Sequence, residues 1–500
     1  MKLVDLVSNT GVVRMYAAAK QVSAVPDRDI SSVSCNSRED LREAVFVAVK
    51  GTKADGHAYI MDALRRGAGA VVFQDSRRIA SLLNGSEQGA GDAVLIQVED
   101  SRKALVLMAG AFYGYPSKSL SVIGITGTNG KTTISYLIEA IVRKAGGNPA
   151  VIGTVNYRYN DRVIASVNTT PGTVELQRLF RDMVKGGITH CAMEVSSHAL
   201  DQERTNGIRF SCGIFTNLTQ DHLDYHKDME DYFLAKSKLF SGLDEGALAV
   251  VNQDDPYGRR LAAATPGRLV TYGLDASAQV RGRDIRMDAD QTRFVLCGNG
   301  HEVPLCIRLI GRHNVYNVLA ACAWALNAGI SPYVIKDALE SFSSVPGRLE
   351  RIDAQGGLRI FVDYAHTPDA LSNVITTLRQ IADKRIIVVF GCGGDRDRTK
   401  RPVMGRVAVE LSDHAVITSD NPRSEDPDAI IGDIIRGISK SNYTVVPDRT
   451  AAIRAALSMG ADGDIVLIAG KGHETCQITK DRVLHFDDRE VVRECLLSRN

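Results

Sequence analysis

No Cys-x-x-Cys pair occurs among the nine cysteines, which are scattered singly at positions such as Cys35, Cys191, Cys297 and Cys392. That scatter excludes a disulfide framework and reads as reduced, mostly buried thiols. No apolar run approaches the roughly 20 residues needed to span a bilayer. The N-terminus shows no basic region followed by an apolar signal core, so a cytoplasmic protein without membrane insertion is expected. Charge of one sign is lacking as well: Lys plus Arg number 60, Asp plus Glu 59, and the net is +1. No global field therefore recommends nucleic acid or an acidic membrane as partner. Solenoid repeats and low-complexity segments are absent. What the chain does have is length, and 500 residues exceed a single core and suggest about three domains.

The most informative stretch is Gly124-Ile125-Thr126-Gly127-Thr128-Asn129-Gly130-Lys131-Thr132-Thr133. Val122, Ile123 and Ile125 before it predict a short buried strand. Ile134, Leu137, Ile138, Ile141 and Val142 after it recur at helical spacing. The loop thus opens a helix whose first N–H groups have no intrahelical partner and can cradle phosphate oxygens. Lys131 adds a point charge, and Thr132 offers a hydroxyl to a phosphate-bound Mg²⁺. The strict Walker pattern needs glycine at position 125, where this chain has Ile125, so the loop is a shortened variant.

Before the loop, Ala44–Val49 and Ala68–Phe73 are β-rich runs that fit a small α/β domain over residues 1–110. The loop opens a larger unit over 111–346. There Cys191–Val195 leads into Ser196-Ser197-His198, and Gly213–Phe215 leads into Thr216-Asn217. Ser344-Val345-Pro346-Gly347-Arg348 reads as a linker, since proline then glycine punctuates two periodic regions. In 347–500 four apolar runs each end in a polar cluster. Ile360–Val362 meets Asp363-Tyr364-Ala365-His366, Ile386–Phe390 meets Gly391–Arg396, Ala415–Thr418 meets Asp420-Asn421-Pro422-Arg423, and Ile465–Ile468 meets Gly470–Glu474. Continuous apolar strands alternating with helices imply a parallel sheet covered on both faces, whose ligands bind beyond the carboxyl ends of the strands. The fold class is α/β.

Glu194 and His222 lie downstream of the loop, and a carboxylate and an imidazole near nucleotide phosphates could hold a second divalent ion. Taken alone, a lone histidine among eleven is more often a hydrogen-bonded structural residue, and Glu194 also fits an ordinary strand end. Lys236 reads by default as one of two solvated lysines on a helix. Arg396 and Arg423 follow adjacent strands, where guanidinium groups form a fork suited to a carboxylate, and Glu474 could receive an ammonium. Together they suit a zwitterionic amino acid, although surface arginines at loop starts are common.

Six ordered motifs now join: Gly127–Thr133, Asn168-Thr169-Thr170-Pro171, Glu194–His198, His313–Asn317, Asp363–Pro368 and Asp420–Arg423. The set resembles the Mur ligase family nearly end to end. The resemblance implies an ATP-dependent amide ligase of peptidoglycan precursor synthesis with three domains. One binds the UDP end of the substrate, the middle one binds ATP, and a Rossmann-like C-terminal one brings the amino acid. It implies two Mg²⁺ ions, a carbamylated Lys236 that helps hold one of them, and Glu194 and His222 as its associates. Gly127, Thr128, Asn129, Gly130, Lys131, Thr132 and Thr133 are implied at the phosphates, Asn317 at adenine, Asp363 at the ribose side and Arg348 at the phosphates. Asn168, Thr169, Thr170, Ser196, Gln202 and Arg204 are implied at a UDP-N-acetylmuramoyl dipeptide. Relatives commonly carry Asp-Ser-Arg where this chain has Asn36-Ser37-Arg38, so Ser37 carries over to the uridine side and position 36 departs. A further contact segment maps to Thr52-Lys53-Ala54.

The amino acid follows from charge. Diaminopimelate ends distally in an ammonium and a carboxylate, lysine in an ammonium only, so a distal arginine rewards the first and strands its own charge against the second. The resemblance puts Arg423 in a motif that diaminopimelate enzymes share and lysine-adding relatives lack. Meso-diaminopimelate is therefore expected, held by Arg396, Asp420, Asn421, Pro422, Arg423, Gly470 and Glu474. The lysine-adding ligase and a folylpolyglutamate synthase-like ligase are the alternatives. A monomer acting on small molecules is expected.

Overall fold

Alternating strands and helices build three large sheets, and a two-stranded hairpin, Cys476–Ile478 with Val483–His485, stands beside them among the described residues. The computed structural model describes residues 1–17, 20–52, 54–83, 91–288, 290–354 and 357–497. Lys53, in the expected contact segment 52–54, lies outside them. The chain divides into two units: Met1–Lys131, Gly146–Val251 and Asp255–Val270 in one, Thr132–Ala145, Asn252–Asp254 and Thr271–Asn500 in the other.

In the first unit the N-terminal sheet runs in the order Lys20–Val22, Val12–Ala17, Val94–Val98, Ala70–Phe73, Ala44–Val47 and Ser32–Ser34. Its last four strands are parallel. The runs read from sequence become the strands Ala44–Val47 and Ala70–Phe73, every residue of which is buried. Burial on both faces accounts for the unbroken apolar sequence. The central sheet of this unit orders Arg162–Ala165, Asn156–Tyr159, Pro149–Ile152, His190–Glu194, Ser121–Thr126, Cys212–Phe215 and Leu248–Asn252. The four strands from Pro149–Ile152 to Cys212–Phe215 pair in parallel. His190–Glu194 and Cys212–Phe215 flank Ser121–Thr126, so the segments that follow all three strands emerge at one edge of the sheet.

The helix Lys131–Lys144 follows the glycine loop and buries Ile134, Leu137, Ile138, Ile141 and Val142, the face its periodicity predicts. In the second unit an antiparallel meander, Val280–Met287, Thr292–Gly298 and His301–Ile307, precedes helices Arg312–Asn327 and Pro332–Ser341. The meander is absent from the sequence reading. Its exposed faces carry Arg283, Arg293 and Glu302, which breaks the continuous apolar signature of the parallel strands.

The C-terminal sheet orders Glu350–Ile352, Arg359–Asp363, Ile465–Ala469, Ile386–Phe390, His414–Ile417 and Tyr443–Val445. All neighbours pair in parallel except Glu350–Ile352. Asp363 faces Ala469 and Phe390 faces Ile417 across the ladders. The four polar clusters therefore leave one sheet edge together. Arg449 and Asp488, both without side-chain exposure, form an ion pair at 2.7 Å beneath that edge. The guanidinium also donates to the carbonyl oxygen of Ala469, at the end of a strand.

All nine cysteines are free thiols, and six are buried. Among the described residues no helix is long and apolar enough to cross a membrane. Removing one partner of a buried ion pair leaves the other charge uncompensated, so Asp488→Ala should cost about 3–5 kcal/mol. A lower denaturant midpoint followed by circular dichroism checks it, and an unchanged midpoint refutes it.

Candidate active site

The first unit brings the glycine loop, Glu194, His222 and Lys236 to one sheet edge. Gly127 has φ 142°, and a Cβ there would lie 1.8 Å from Thr216 Oγ1. Only glycine fits. Thr128 N donates to Asn217 O at 2.9 Å, and Asn129 N donates to Asn217 Oδ1 at 3.0 Å. The segment after Cys212–Phe215 thereby fixes the loop from outside.

Lys131 Nζ donates to the carbonyl oxygens of Gly127 and Thr128, both at 2.9 Å. Lys236 Nζ donates to the same Gly127 oxygen at 2.9 Å and lies 4.4 Å from the Tyr232 ring centroid. Lys236 is only 1% exposed, which corrects the reading of it as solvated. Its neighbour Lys238 does face solvent. The sequence carried the signal: Tyr232, Phe233, Lys236, Leu239 and Phe240 form the buried stripe of helix Met229–Ser241, and Lys236 stands inside that stripe. Burial, then the charge of Lys131, push the Lys236 amine well below the usual lysine range against the opposing pull of Asp221.

Glu194 is buried at the end of its strand. Its Oε1 accepts from Thr154 N at 2.9 Å and its Oε2 from Thr154 Oγ1 at 3.0 Å. Gly153 makes the room, because a Cβ there would come within 2.3 Å of Oε1. His222 adopts φ 55°, a conformation that costs a non-glycine residue and clusters at functional positions. Burial lowers its pKa. Its ring packs edge-on to His198 at 4.9 Å, and His198 is pushed down to about 4 by burial first and then by His222 and His226.

The residues implied at the dipeptide form a connected network with Glu194. Thr170 Oγ1 donates to Glu194 O at 2.9 Å and accepts from Ser196 N at 3.0 Å. Thr169 Oγ1 lies 3.1 Å from Thr154 Oγ1. Asn168 O accepts from Tyr157 at 2.6 Å. Arg204 donates to Thr170 O at 3.2 Å and, through Nε, to Gln202 Oε1 at 3.0 Å. Arg102, which sequence reasoning missed, joins this network to the segment after strand Ala44–Val47 by donating to Gln202 O at 2.7 Å and Lys50 O at 2.8 Å. Ser37 sits half-buried in the turn after Ser32–Ser34. The departure at position 36 is conservative in shape, since Asn36 Oδ1 accepts from Arg38 N at 3.1 Å as an aspartate oxygen would.

In the second unit Asn317 donates to Asn314 Oδ1 at 3.0 Å within the first turns of helix Arg312–Asn327. Asp363 accepts from Leu349 N at 2.7 Å and Ala365 N at 2.8 Å, pinning the 344–349 segment to the sheet. Burial raises its pKa, and the charge of Arg348 opposes the rise. Arg348 stacks 4.9 Å from the Tyr364 ring centroid, with Nη2 3.5 Å from Thr132 Oγ1. Thr133 is buried in the same helix as Thr132.

At the C-terminal sheet edge, Arg423 takes φ 52° and donates to Gly394 O at 2.8 Å. A Cβ at Gly394 would meet Pro422 O at 1.9 Å, so the two loops interlock through a missing side chain. Arg396 is exposed and donates to the adjacent Asp395 O at 3.1 Å. The sequence missed the clamp beneath. Arg401, without side-chain exposure, pairs with Glu425 at 2.8 Å and Asp433 at 2.9 Å. The hydrogen bond from Arg401 chiefly holds the Glu425 carboxyl down at about 2. Asp420 is buried, its Oδ1 accepting from Asn421 N at 2.6 Å. A Cβ at Gly470 (φ 118°) would come 2.6 Å from Asp420 Oδ2. Asn421 Nδ2 donates to Glu474 Oε2 at 2.8 Å.

Family models match three consecutive stretches: the Mur ligase family catalytic domain over residues 29–113, the Mur ligase middle domain over 125–325, and the Mur ligase glutamate ligase domain over 347–472. A UDP-N-acetylmuramoyl-L-alanyl-D-glutamate–2,6-diaminopimelate ligase of Geobacter metallireducens is 45% identical over 487 residues, covering 93% of each chain. A relative of the same name from Solibacter usitatus is 46% identical over 472 residues, covering 94% of each. A solved structure of a protein with that name superposes with a TM-score of 0.69 at 31% identity, covering 96% of this chain and 97% of the other. Mycobacterium tuberculosis folylpolyglutamate synthase complexed with ADP shares the fold, with a TM-score of 0.63 at 18% identity over 74% of this chain and 91% of its own.

Because no β-carbon fits at position 127, Gly127→Ala should distort the loop and weaken ATP binding at least about tenfold, as losing a phosphate-directed hydrogen bond does. Calorimetric titration checks this, and an unchanged Kd refutes it.

Proposed function

Because the chain belongs to the Mur ligase family, we propose that it uses ATP to join meso-diaminopimelate to the D-glutamate of UDP-N-acetylmuramoyl-L-alanyl-D-glutamate. This is a cytoplasmic step of bacterial peptidoglycan precursor synthesis, and the protein acts as a monomer on small molecules. The observation that carries the reading is that one chain holds both a lysine-flanked glycine loop, with the buried Glu194 ending the strand next to the one before it, and a sheet edge gathering Arg423, Asn421 and Glu474. The name shared by relatives at 45–46% identity supports it. The domains fall at 1–110 for the UDP end, 111–346 for ATP and 347–500 for the amino acid.

The D-glutamate γ-carboxylate attacks the γ-phosphate of ATP, ADP leaves, and an acyl phosphate forms. The amine of diaminopimelate then attacks the acyl carbon and phosphate departs, giving the amide. No protein nucleophile is required, because positioning and charge stabilisation do the work. The N–H groups at the start of the helix that follows the loop and the ammonium of Lys131 draw electron density from the phosphates. Thr170, Ser196 and Arg204 hold the dipeptide beside Glu194, with Asn168, Thr169 and Gln202 completing that wall. Ser37 serves the uridine end. Asn317, Asp363 and Arg348 serve the nucleotide.

The donor chemistry near the loop fits Mg²⁺ on one condition. Glu194 supplies carboxylate oxygens, His222 a ring nitrogen and Thr132 a hydroxyl, whereas Lys236 as an ammonium can only donate and as a neutral amine offers nitrogen where Mg²⁺ prefers oxygen. Carbamylation converts it into an anionic oxygen ligand suited to a hard cation. Burial beside Lys131 favours this, since it lowers the pKa of the amine and so eases loss of the proton that attack on CO2 requires. Two bound Mg²⁺ ions would offset the negative charge crowded at the phosphates.

Lys236→Ala should lower kcat at least about hundredfold, the scale of removing one charge-stabilising group, while Lys238→Ala on the exposed side of the helix leaves it unchanged. Equal effects of the two would remove Lys236 from the mechanism. ADP release should require both the UDP dipeptide and an amino acid, with diaminopimelate strongly preferred to L-lysine. Arg423→Ala should raise the diaminopimelate KM about tenfold or more and spare the KM of ATP. Lysine preference, or equal rises for both substrates, overturns the pocket assignment.

A further inference from the structure

Lys471 has no side-chain exposure. Burying an ammonium is costly, and an apolar residue of similar volume would be tolerated at least as well if packing were all the site needed. Its contacts do not go to the core. Nζ donates to Cys476 O at 2.6 Å, Asn421 Oδ1 at 3.2 Å and Glu474 Oε2 at 3.3 Å. Each partner lies in a different segment of the C-terminal sheet edge: the hairpin strand Cys476–Ile478, the loop Asp420–Arg423, and the turn after strand Ile465–Ala469. Both acceptor sites of the Asn421 amide oxygen are filled by this arrangement, and one of its two N–H donors is used. Its Oδ1 takes Lys471 and Ile478 N at 2.9 Å, and its Nδ2 goes to Glu474 Oε2. Glu474 thus has one oxygen committed to the protein, and the carboxylate is 29% exposed at its side chain. The other oxygen, Oε1, remains for a ligand.

We propose that Lys471 is a positioning residue for the incoming amino acid: it locks the Glu474 carboxylate and the Asn421 amide in one orientation, so that Glu474 Oε1 meets the ammonium of the substrate. The inference rests on the assignment of Glu474 to the amino-acid pocket. Lys471 itself does not touch substrate. It acts through two residues that do, which places it among the determinants of amino-acid affinity.

Three full-length variants test it by steady-state ADP release: Glu474→Gln, Lys471→Met and the double variant. Lys471→Met should raise the diaminopimelate KM about tenfold to a hundredfold, the loss of a charge-assisted hydrogen bond. The KM of ATP and of the UDP dipeptide should stay within about twofold. In the Glu474→Gln background the same change should add less than about twofold, because the two act as one unit. If Glu474→Gln leaves the diaminopimelate KM unchanged, the pocket assignment itself fails. If Glu474→Gln raises it and Lys471→Met does not, or the two effects simply add, the role of Lys471 is overturned. A uniform loss across all three substrates with a lowered melting temperature assigns Lys471 to the fold and overturns the proposal. Should Lys471→Met not fold, Lys471→Gln, one atom shorter and with a neutral NH2 donor group in place of the ammonium, reads the same quantities with the same outcomes.

Discussion

Two lysines share one carbonyl oxygen. Lys131 and Lys236 each reach Gly127 O at 2.9 Å, so their nitrogens stand no more than 5.8 Å apart. At about 5 Å and an effective dielectric near 20, two full positive charges would repel by about 3 kcal/mol. The loop tolerates this only if one amine gives up its proton or the pair is answered by negative charge. Both resolutions suit a site for polyphosphate, and both depend on Gly127 keeping a backbone turn that admits no side chain. The glycine, the two lysines and the helix start are therefore one device. Glu194, held by Thr154, brings acidic oxygens to the same sheet edge.

The C-terminal sheet solves a different problem with the same logic of fixed charge. Arg401 and Arg449, each fully buried at the side chain, are answered by Glu425 with Asp433 and by Asp488. These clamps sit under loops that must present polar groups outward without collapsing onto each other. Neutralising buried guanidinium groups from below leaves Arg423 to be set by the interlocked loops and Glu474 by its bonds to Asn421 and Lys471.

The parallel strands were legible because burial on both faces leaves unbroken apolar runs such as Ile386–Phe390 and Ile465–Ala469. The glycine loop was legible because its geometry demands particular residue types. The antiparallel meander 280–307 was not, since its strands alternate charged and buried positions. Lys236 was misjudged by residue type, although its place in the apolar stripe of its helix could have shown it inside. Arg102 and Arg401 were invisible for another reason. Their partners lie 24 to 100 residues away along the chain, and no local pattern marks them.

The hairpin Cys476–Ile478 with Val483–His485 gives the loop Asp420–Arg423 much of its shape. Gln477 donates to Asp420 O, Ile478 N to Asn421 Oδ1, and Arg423 N to Ile478 O. The tetrapeptide is consequently not a portable cassette. Grafted into a related scaffold without this hairpin edge, its letters would arrive but its left-handed arginine would lose its seat. Divergence in amino-acid choice within such a fold must then move through the two segments jointly.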